Sequence, residues 1–423
     1  MTLTLLALPV VLLLLGLPVF LVLLGAAAAT LFLVLPIPVP ALHQVLFGGL
    51  DNYALLAVPF FVLAGELMGR GGIAQRLIDW VLALSGRMPG SLGVATVGAS
   101  AMLGAISGSS VAAVASLGRT LFPRLEAAGY GRGRSAGLIA ASGAIDIVIP
   151  PSIALILYGL AAEQSIPRLF LAGLLPGLLL ALMMAGAVIV IALRAGIPRS
   201  GGFDAVTAWR TTRAAFWGLL MPVLVLGGIY AGWFSPTEAG GVASLYAMLV
   251  ARFVYRSMGW GAILQAAADA AILSAKILVI VAAAGLVTWI LTSQGVPQAI
   301  TAWMQSLALA PWAFLIGVNL VLLLIGCILD PTSAILVLAP LLVPMAVALG
   351  IDPIHFCVVM TVNLAIGMFT PPFGLNLFVA QTVTGVAAHR LYLGVLPFVA
   401  VQVAALLLVT YLPALSLLLG RAI

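Results

Sequence analysis

Two short polar interruptions in otherwise apolar sequence carry the oxygens best suited to chemistry in this chain. The first is Ser107-Gly108-Ser109-Ser110 and the second is Asp330-Pro331-Thr332-Ser333. Each is followed by a further break that ends in a proline pair. One runs from Ser142 and Gly143 through Asp146 to Pro150-Pro151, the other from Asn363 through Gly367 and Thr370 to Pro371-Pro372. Hydroxyl, carboxamide, carboxylate and carbonyl oxygens are hard donors, which suit a hard cation such as sodium. Half-helices that begin at such breaks present free amides, which suit a carboxylate. The pattern predicts two cation cages beside an anion site. Ser107, Gly108, Ser109, Ser110, Ser142, Gly143 and Asp146 would form one cage. Asp330, Thr332, Ser333, Asn363, Gly367 and Thr370 would form the other. Ser109, Pro150, Pro151, Pro371, Pro372 and Asn376 would face a substrate.

Small residues also let membrane helices pack closely, so one serine-glycine stretch alone is as consistent with packing as with binding. Recurrence at a matching place favours binding. Pro150-Pro151 matches Pro371-Pro372, Gly104 matches Gly326, and Gly72 matches Gly295, with offsets drifting only from 221 to 223 residues. Trp80 and Trp303, and Arg168 and Arg390, follow the same register. Paired, interrupted hydrophobic segments in corresponding halves point to the binding site of a secondary transporter.

The carboxylates in these breaks need separate readings. Asp330 is a cation ligand, a cap for the amides of a helix starting at Pro331, or both. Asp146 is a cation ligand, a proton carrier or the partner of a basic residue on a neighbouring subunit. Glu66, in Ala64-Gly65-Glu66-Leu67-Met68, is expected to pair with an arginine. Asn376 is read as a substrate or backbone hydrogen-bonding group, with plain helix packing as the alternative.

The elements that must position these groups are membrane helices. Hydrophobic residues make up 64% of the 423-residue chain and charged residues 7%, against about 25% charged in soluble domains. The pI near 9.7 does not indicate nucleic acid. With one lysine in the chain and the arginines placed in short loops, the charge follows the positive-inside pattern instead. Cys327 and Cys357 are too few for a disulfide framework, and His43, His355 and His389 share no ligand spacing, so no transition metal and no cofactor is expected. Residues 1–24 lack a basic leader and read as membrane helix. Gly98-Ala99-Ser100-Ala101 offers the serine of a membrane protease, yet no histidine lies centrally in a span to act as its base. An enzyme and an ATPase are both disfavoured.

Arginine placement orders the spans. Arginines flank both ends of the stretch 90–128, so it is expected to enter and leave on the cytoplasmic side as a re-entrant hairpin. The charge-free stretch 293–329 leads to a second hairpin over about 311–350, opening outside. The helix at about 52–69 runs inward and its counterpart at about 270–292 runs outward, so the repeat is inverted. The expected fold is an all-α polytopic membrane protein of about ten spans, two re-entrant hairpins and two broken helices. Residues 1–86 would be scaffold helices with an interfacial arm, and 87–194 a transport unit with the first hairpin and broken helix. Residues 195–310 would add scaffold and a second arm, and 311–423 the second hairpin and broken helix of the transport unit.

At these residues the chain resembles the large membrane subunit of tripartite ATP-independent periplasmic (TRAP) transporters. The matching stretches include Pro59-Phe60-Phe61-Val62-Leu63-Ala64-Gly65-Glu66, Ile106-Ser107-Gly108-Ser109, Ile149-Pro150-Pro151-Ser152 and Leu329-Asp330-Pro331. Thr370-Pro371-Pro372-Phe373-Gly374-Leu375-Asn376 completes them, and the resemblance covers nearly the whole chain. It implies an elevator-type transporter that imports a small organic anion with sodium across a bacterial inner membrane. It further implies a small membrane subunit and a periplasmic substrate-binding protein as partners. The alternative is a self-sufficient carboxylate symporter, driven by sodium or protons. Two departures stand out: Ala113 replaces an acidic residue common after the first tip, and Asp146 stands where glycine is common.

Overall fold

A computed structural model of the chain describes residues 7–33, 39–86, 88–197, 204–306 and 309–420, apart from the side chains of 39–41, 106, 107 and 305. Every regular element among the described residues is helical. The chain opens with α1 (Leu8–Leu14) and α2 (Val19–Leu33). Gly16 at φ 79° and Pro18 separate them. After α3 (Val39–Gly48), Asn52 caps a 3-10 turn that runs into α4 (Ala57–Arg70) and then α5 (Ile73–Ser85). The predicted first hairpin is α6 (Ser91–Ser107) and α7 (Ser110–Ala127). The first broken helix follows as α8 (Arg132–Ser142), α9 (Ile145–Val148) and α10 (Ile153–Ala161), with α11 (Ile166–Arg194) closing the half.

The second half begins with α12 (Ala205–Tyr230) and α13 (Pro236–Leu249), the latter prolonged by a π-turn over Val250–Val254. Then α14 (Trp260–Ser293) and α15 (Val296–Ser306) repeat α4 and α5. The second hairpin is α16 (Pro311–Gly326) and α17 (Pro331–Ala348), and the second broken helix is α18 (Pro353–Gly367) and α19 (Leu375–Thr384). Finally α20 (Ala388–Tyr411) repeats α11, and α21 (Ala414–Gly420) packs against α11. This is an inverted repeat with two re-entrant hairpins and two broken helices.

The breaks follow from backbone chemistry. Proline disfavours helical conformation in the residue before it, and Ile149, before Pro150, is extended at ψ 125°. Ser152 restarts the helix, its side chain accepting from Leu155 N. In the other half α18 stops at Gly367 and α19 starts beyond Gly374. Both Pro150-Pro151 and Pro371-Pro372 are joined by cis peptides.

The halves interlock. The inner arm α7 packs against α19, α17 against α10, and α8 against α20. At the last crossing Gly133, Gly137 and Gly394 bring backbones into direct contact; a methyl on Gly394 would sit 2.1 Å from the Gly133 carbonyl oxygen. Apart from these, α5 packs on α12, and α4 on α13 and α14.

Six helices among the described residues are long and apolar enough to cross a membrane, or seven if the bent α8–α10 is one span. About ten were expected. The difference lies in spans that the chain divides or shortens: α2 has 15 residues, α13 has 14, and α18 is cut from α19 by the proline break.

Candidate substrate and cation site

The first hairpin turns at Gly108, which adopts φ 57°. A methyl there would lie 2.9 Å from the carbonyl oxygen of Pro151, so the tip rests directly on the first proline pair. The second tip is built differently. Asp330 is the N-cap of α17, its carboxylate accepting from Ser333 N at 3.1 Å and Ser333 Oγ at 2.6 Å, and also from Thr332 Oγ1. Those hydroxyls and the carboxylate thus satisfy one another and fix the turn.

Both tips face one cavity of about 570 Å³. Gly108, Ser109 and Ser110 line it from the first hairpin, and Asp330, Pro331 and Thr332 from the second. Opposite them stand Glu66 and Arg70 of α4 and Lys276 of α14. Arg70 is held by Glu66 at 2.9 Å and Asp269 at 2.7 Å, the arginine pairing expected of Glu66. Of the expected substrate groups only Ser109 lines this cavity directly. Pro150 and Pro151 are buried beneath the first tip, whereas Pro371 is half-buried and Pro372 exposed.

Behind each tip lies a buried polar cluster that ties a hairpin arm to its broken helix. In the first half Ser100 Oγ stands 2.8 Å from the Ser142 carbonyl oxygen and 2.7 Å from Asp146 Oδ1. Ser110 Oγ accepts from Asn376 Nδ2 at 2.6 Å, and the same amide donates to Ala140 O at 3.1 Å. Asn376, contributed by α19, therefore joins the halves from a fully buried position. Gly143 packs on Ser110; a methyl there would be 3.0 Å from its Oγ.

The second cluster is its counterpart. Asn363, matching Ser142, donates to Asn319 O at 2.9 Å and Oδ1 at 2.8 Å, and Asn319 donates to Thr410 Oγ1 at 3.1 Å. Gly367, matching Asp146, touches Gly326, matching Gly104: a methyl on Gly367 would sit 2.4 Å from the Gly326 carbonyl carbon. Across the repeat, Gly104 meets Asp146 as closely: a methyl on Gly104 would sit 2.5 Å from the Asp146 Cα. The Asp146 side chain thus occupies a place where the second half has only backbone. Thr370 turns its hydroxyl back to Ile366 O at 2.8 Å. The side chain of Ser107 lies outside the described residues.

Four oxygens in these clusters are buried without a hydrogen-bond partner: Ser142 Oγ, Asp146 Oδ2, Asn363 Oδ1 and Asn376 Oδ1. Leaving such a group unsatisfied costs about 1–3 kcal/mol. Hard, oxygen-only donors of this kind fit an alkali cation. Among the described residues no group of three His, Cys, Asp or Glu side chains could hold a transition metal.

Three groups escaped the sequence reading. Ser100 was visible only as a serine without a base, and the structure gives it a carboxylate to bind. Asn319 pairs with Asn363 only after folding. Lys276 does carry a signal: it is the chain's one lysine, half-way along the 34-residue apolar helix α14. A charge at the centre of a membrane helix costs about 2.5–3.5 kcal/mol on insertion scales, so such residues are functional by default.

Comparison with known proteins fits this architecture. The family signature described as "Tripartite ATP-independent periplasmic transporter, DctM component" matches residues 6–415. The chain belongs to this family. It is 41% identical to the C4-dicarboxylate TRAP transporter large permease protein DctM of Pseudomonas aeruginosa, over 93% of this chain and 92% of that one. It is 36% identical to the 2,3-diketo-L-gulonate TRAP transporter large permease protein YiaN of Escherichia coli, covering 92% of both. The isethionate TRAP transporter permease protein DctMQ of Oleidesulfovibrio alaskensis is 38% identical over 93% of this chain, which spans 62% of that longer protein. The crystal structure of the YdaH transporter of Alcanivorax borkumensis shares the fold, with TM-score 0.58 and 18% identity over 90% of this chain and 88% of that one. This permease is a multi-pass membrane transport protein, and its relatives are named transporters rather than enzymes.

Proposed function

We propose that this permease is the large membrane subunit of a secondary importer, coupled to sodium, that brings small organic acids across a bacterial inner membrane. The observation that carries the reading is the cavity shared by both hairpin tips, with unpartnered buried oxygens behind each. The anion sits between the tips and α4–α14; sodium sits among Ser142, Asp146, Asn363 and Asn376 oxygens, where a bound cation also fixes the tips. Hairpins and broken helices, in 87–194 and 311–423, move as a unit against the scaffold of 1–86 and 195–310. The cavity's reach to Arg70, at the expected inward end of α4, supports reading this arrangement as inward-open.

Relatives that carry C4-dicarboxylates and 2,3-diketo-L-gulonate support an organic acid as the cargo. The relative whose name joins the M and Q components in one longer chain supports a separate small membrane subunit here. A periplasmic binding protein, which the family name implies, delivers the acid. The test is uptake of labelled succinate into proteoliposomes holding the permease, the small subunit and the binding protein, with each omitted in turn. Uptake only with all three supports the reading; equal uptake by the permease alone makes it a self-sufficient symporter.

A second reading has its own observation. Ser100 has one hydroxyl proton but stands within hydrogen-bond range of both Ser142 O and Asp146 Oδ1. A proton on Asp146 completes that chain, and among the described residues no basic side chain pairs with Asp146. Proton carriage by Asp146 would then replace one sodium.

A further inference from the structure

The cavity has four charged side chains on its wall: Glu66, Arg70, Lys276 and Asp330. Three are already satisfied within the protein. Arg70 lies between Glu66 and Asp269, and Asp330 is engaged by Thr332 and Ser333. Lys276 differs. Among the described residues it makes neither ion pair nor hydrogen bond, and it is exposed on the cavity wall. Its position half-way along α14 is far from either helix end, where a long basic side chain would snorkel to the interface.

We infer that Lys276 is the counter-charge for an anionic group of the cargo, so that this permease favours dianions over monoanions of the same size. The assignment rests on the organic-acid reading above and deepens it. One carboxylate is held at the α7 tip, where Ser110 and Val111 of the first turn line the cavity. The other end reaches across to the Lys276 ammonium. A bound sodium is disfavoured beside a fixed ammonium, whereas a carboxylate or sulfonate gains a charge-assisted hydrogen bond. Because α14 belongs to the scaffold and the tip to the transport unit, the contact exists in the inward-open arrangement and breaks as the unit moves away.

The single lysine makes the test selective. In proteoliposomes of the complete transporter with sodium, a small amine-directed acetylating reagent should modify Lys276, read by mass spectrometry of the α14 peptide. Succinate should protect it, its monoamide succinamate should protect weakly, and neutral succinamide not at all. Lys276→Gln should raise the KM for succinate about tenfold or more while changing that for succinamate little, and Lys276→Arg should keep most of the affinity. Succinate uptake without protection of Lys276, or with an unchanged KM in the Gln variant, overturns the lysine assignment and leaves the organic-acid reading standing. No uptake of any organic acid by the wild-type complex overturns both. Should the Gln variant fail to fold, protection in the unmodified protein still decides.

Discussion

Asp330 shows how a carboxylate in a membrane protein is made tolerable. Its oxygens accept from a backbone amide and two hydroxyls, and Pro331 takes the first helical position, where no amide is needed. Asp330→Ala should lower stability by about 1 kcal/mol, the usual worth of an N-cap. Asp330→Asn, which also caps, should keep most of it; thermal unfolding in detergent checks both. Asp146 has no such set of partners. Asp146→Asn should weaken sodium activation of uptake and leave its pH dependence unchanged if Asp146 binds sodium, whereas loss of pH dependence would make it the proton carrier. The residues in the polar breaks stood out in the sequence because oxygens are rare there. Lys276 did not, because a single basic residue does not by itself reveal that it faces a cavity, and Asn319 did not, because its partner lies 44 residues away.

The interrupted helices follow from glycine and proline, and this level was the most legible. Both hairpins, both breaks and the bend near Gly16 lie where glycine or proline removes helical geometry. The close approaches were not legible, since contact between α16 and α18 depends on tertiary packing. Gly367→Ala should destabilise by about 1–3 kcal/mol, since its methyl would meet the Gly326 backbone with no flexible side chain to yield. Gly186→Ala on α11 has nothing within 4 Å and should be neutral or slightly stabilising in the same melt. Equal melting of the two variants would contradict the interlock of hairpin and broken helix.

On the scale of the whole molecule, duplication explains why a site for charged cargo can exist inside an apolar protein. Each half supplies one tip and one break, and crossed contacts such as Asn376 to Ser110 make the two a single unit. The inversion was legible from arginines alone; the facing of both tips onto one cavity was not, because that depends on how the halves dock. The sidedness it implies is testable with cysteines at exposed positions. Arg194→Cys should react with an impermeant maleimide only from the cytoplasmic side, and Trp233→Cys only from the periplasmic side. The most direct test of the account is coupling itself. Proteoliposomes containing all three components, given an inward sodium gradient, should accumulate succinate above its external concentration. If the sodium charge entering exceeds the charge of the substrate, an inside-negative potential should strengthen uptake by about 2.3 kcal/mol per net charge per 100 mV. Equal accumulation with no sodium present, driven by a pH gradient alone, would contradict it.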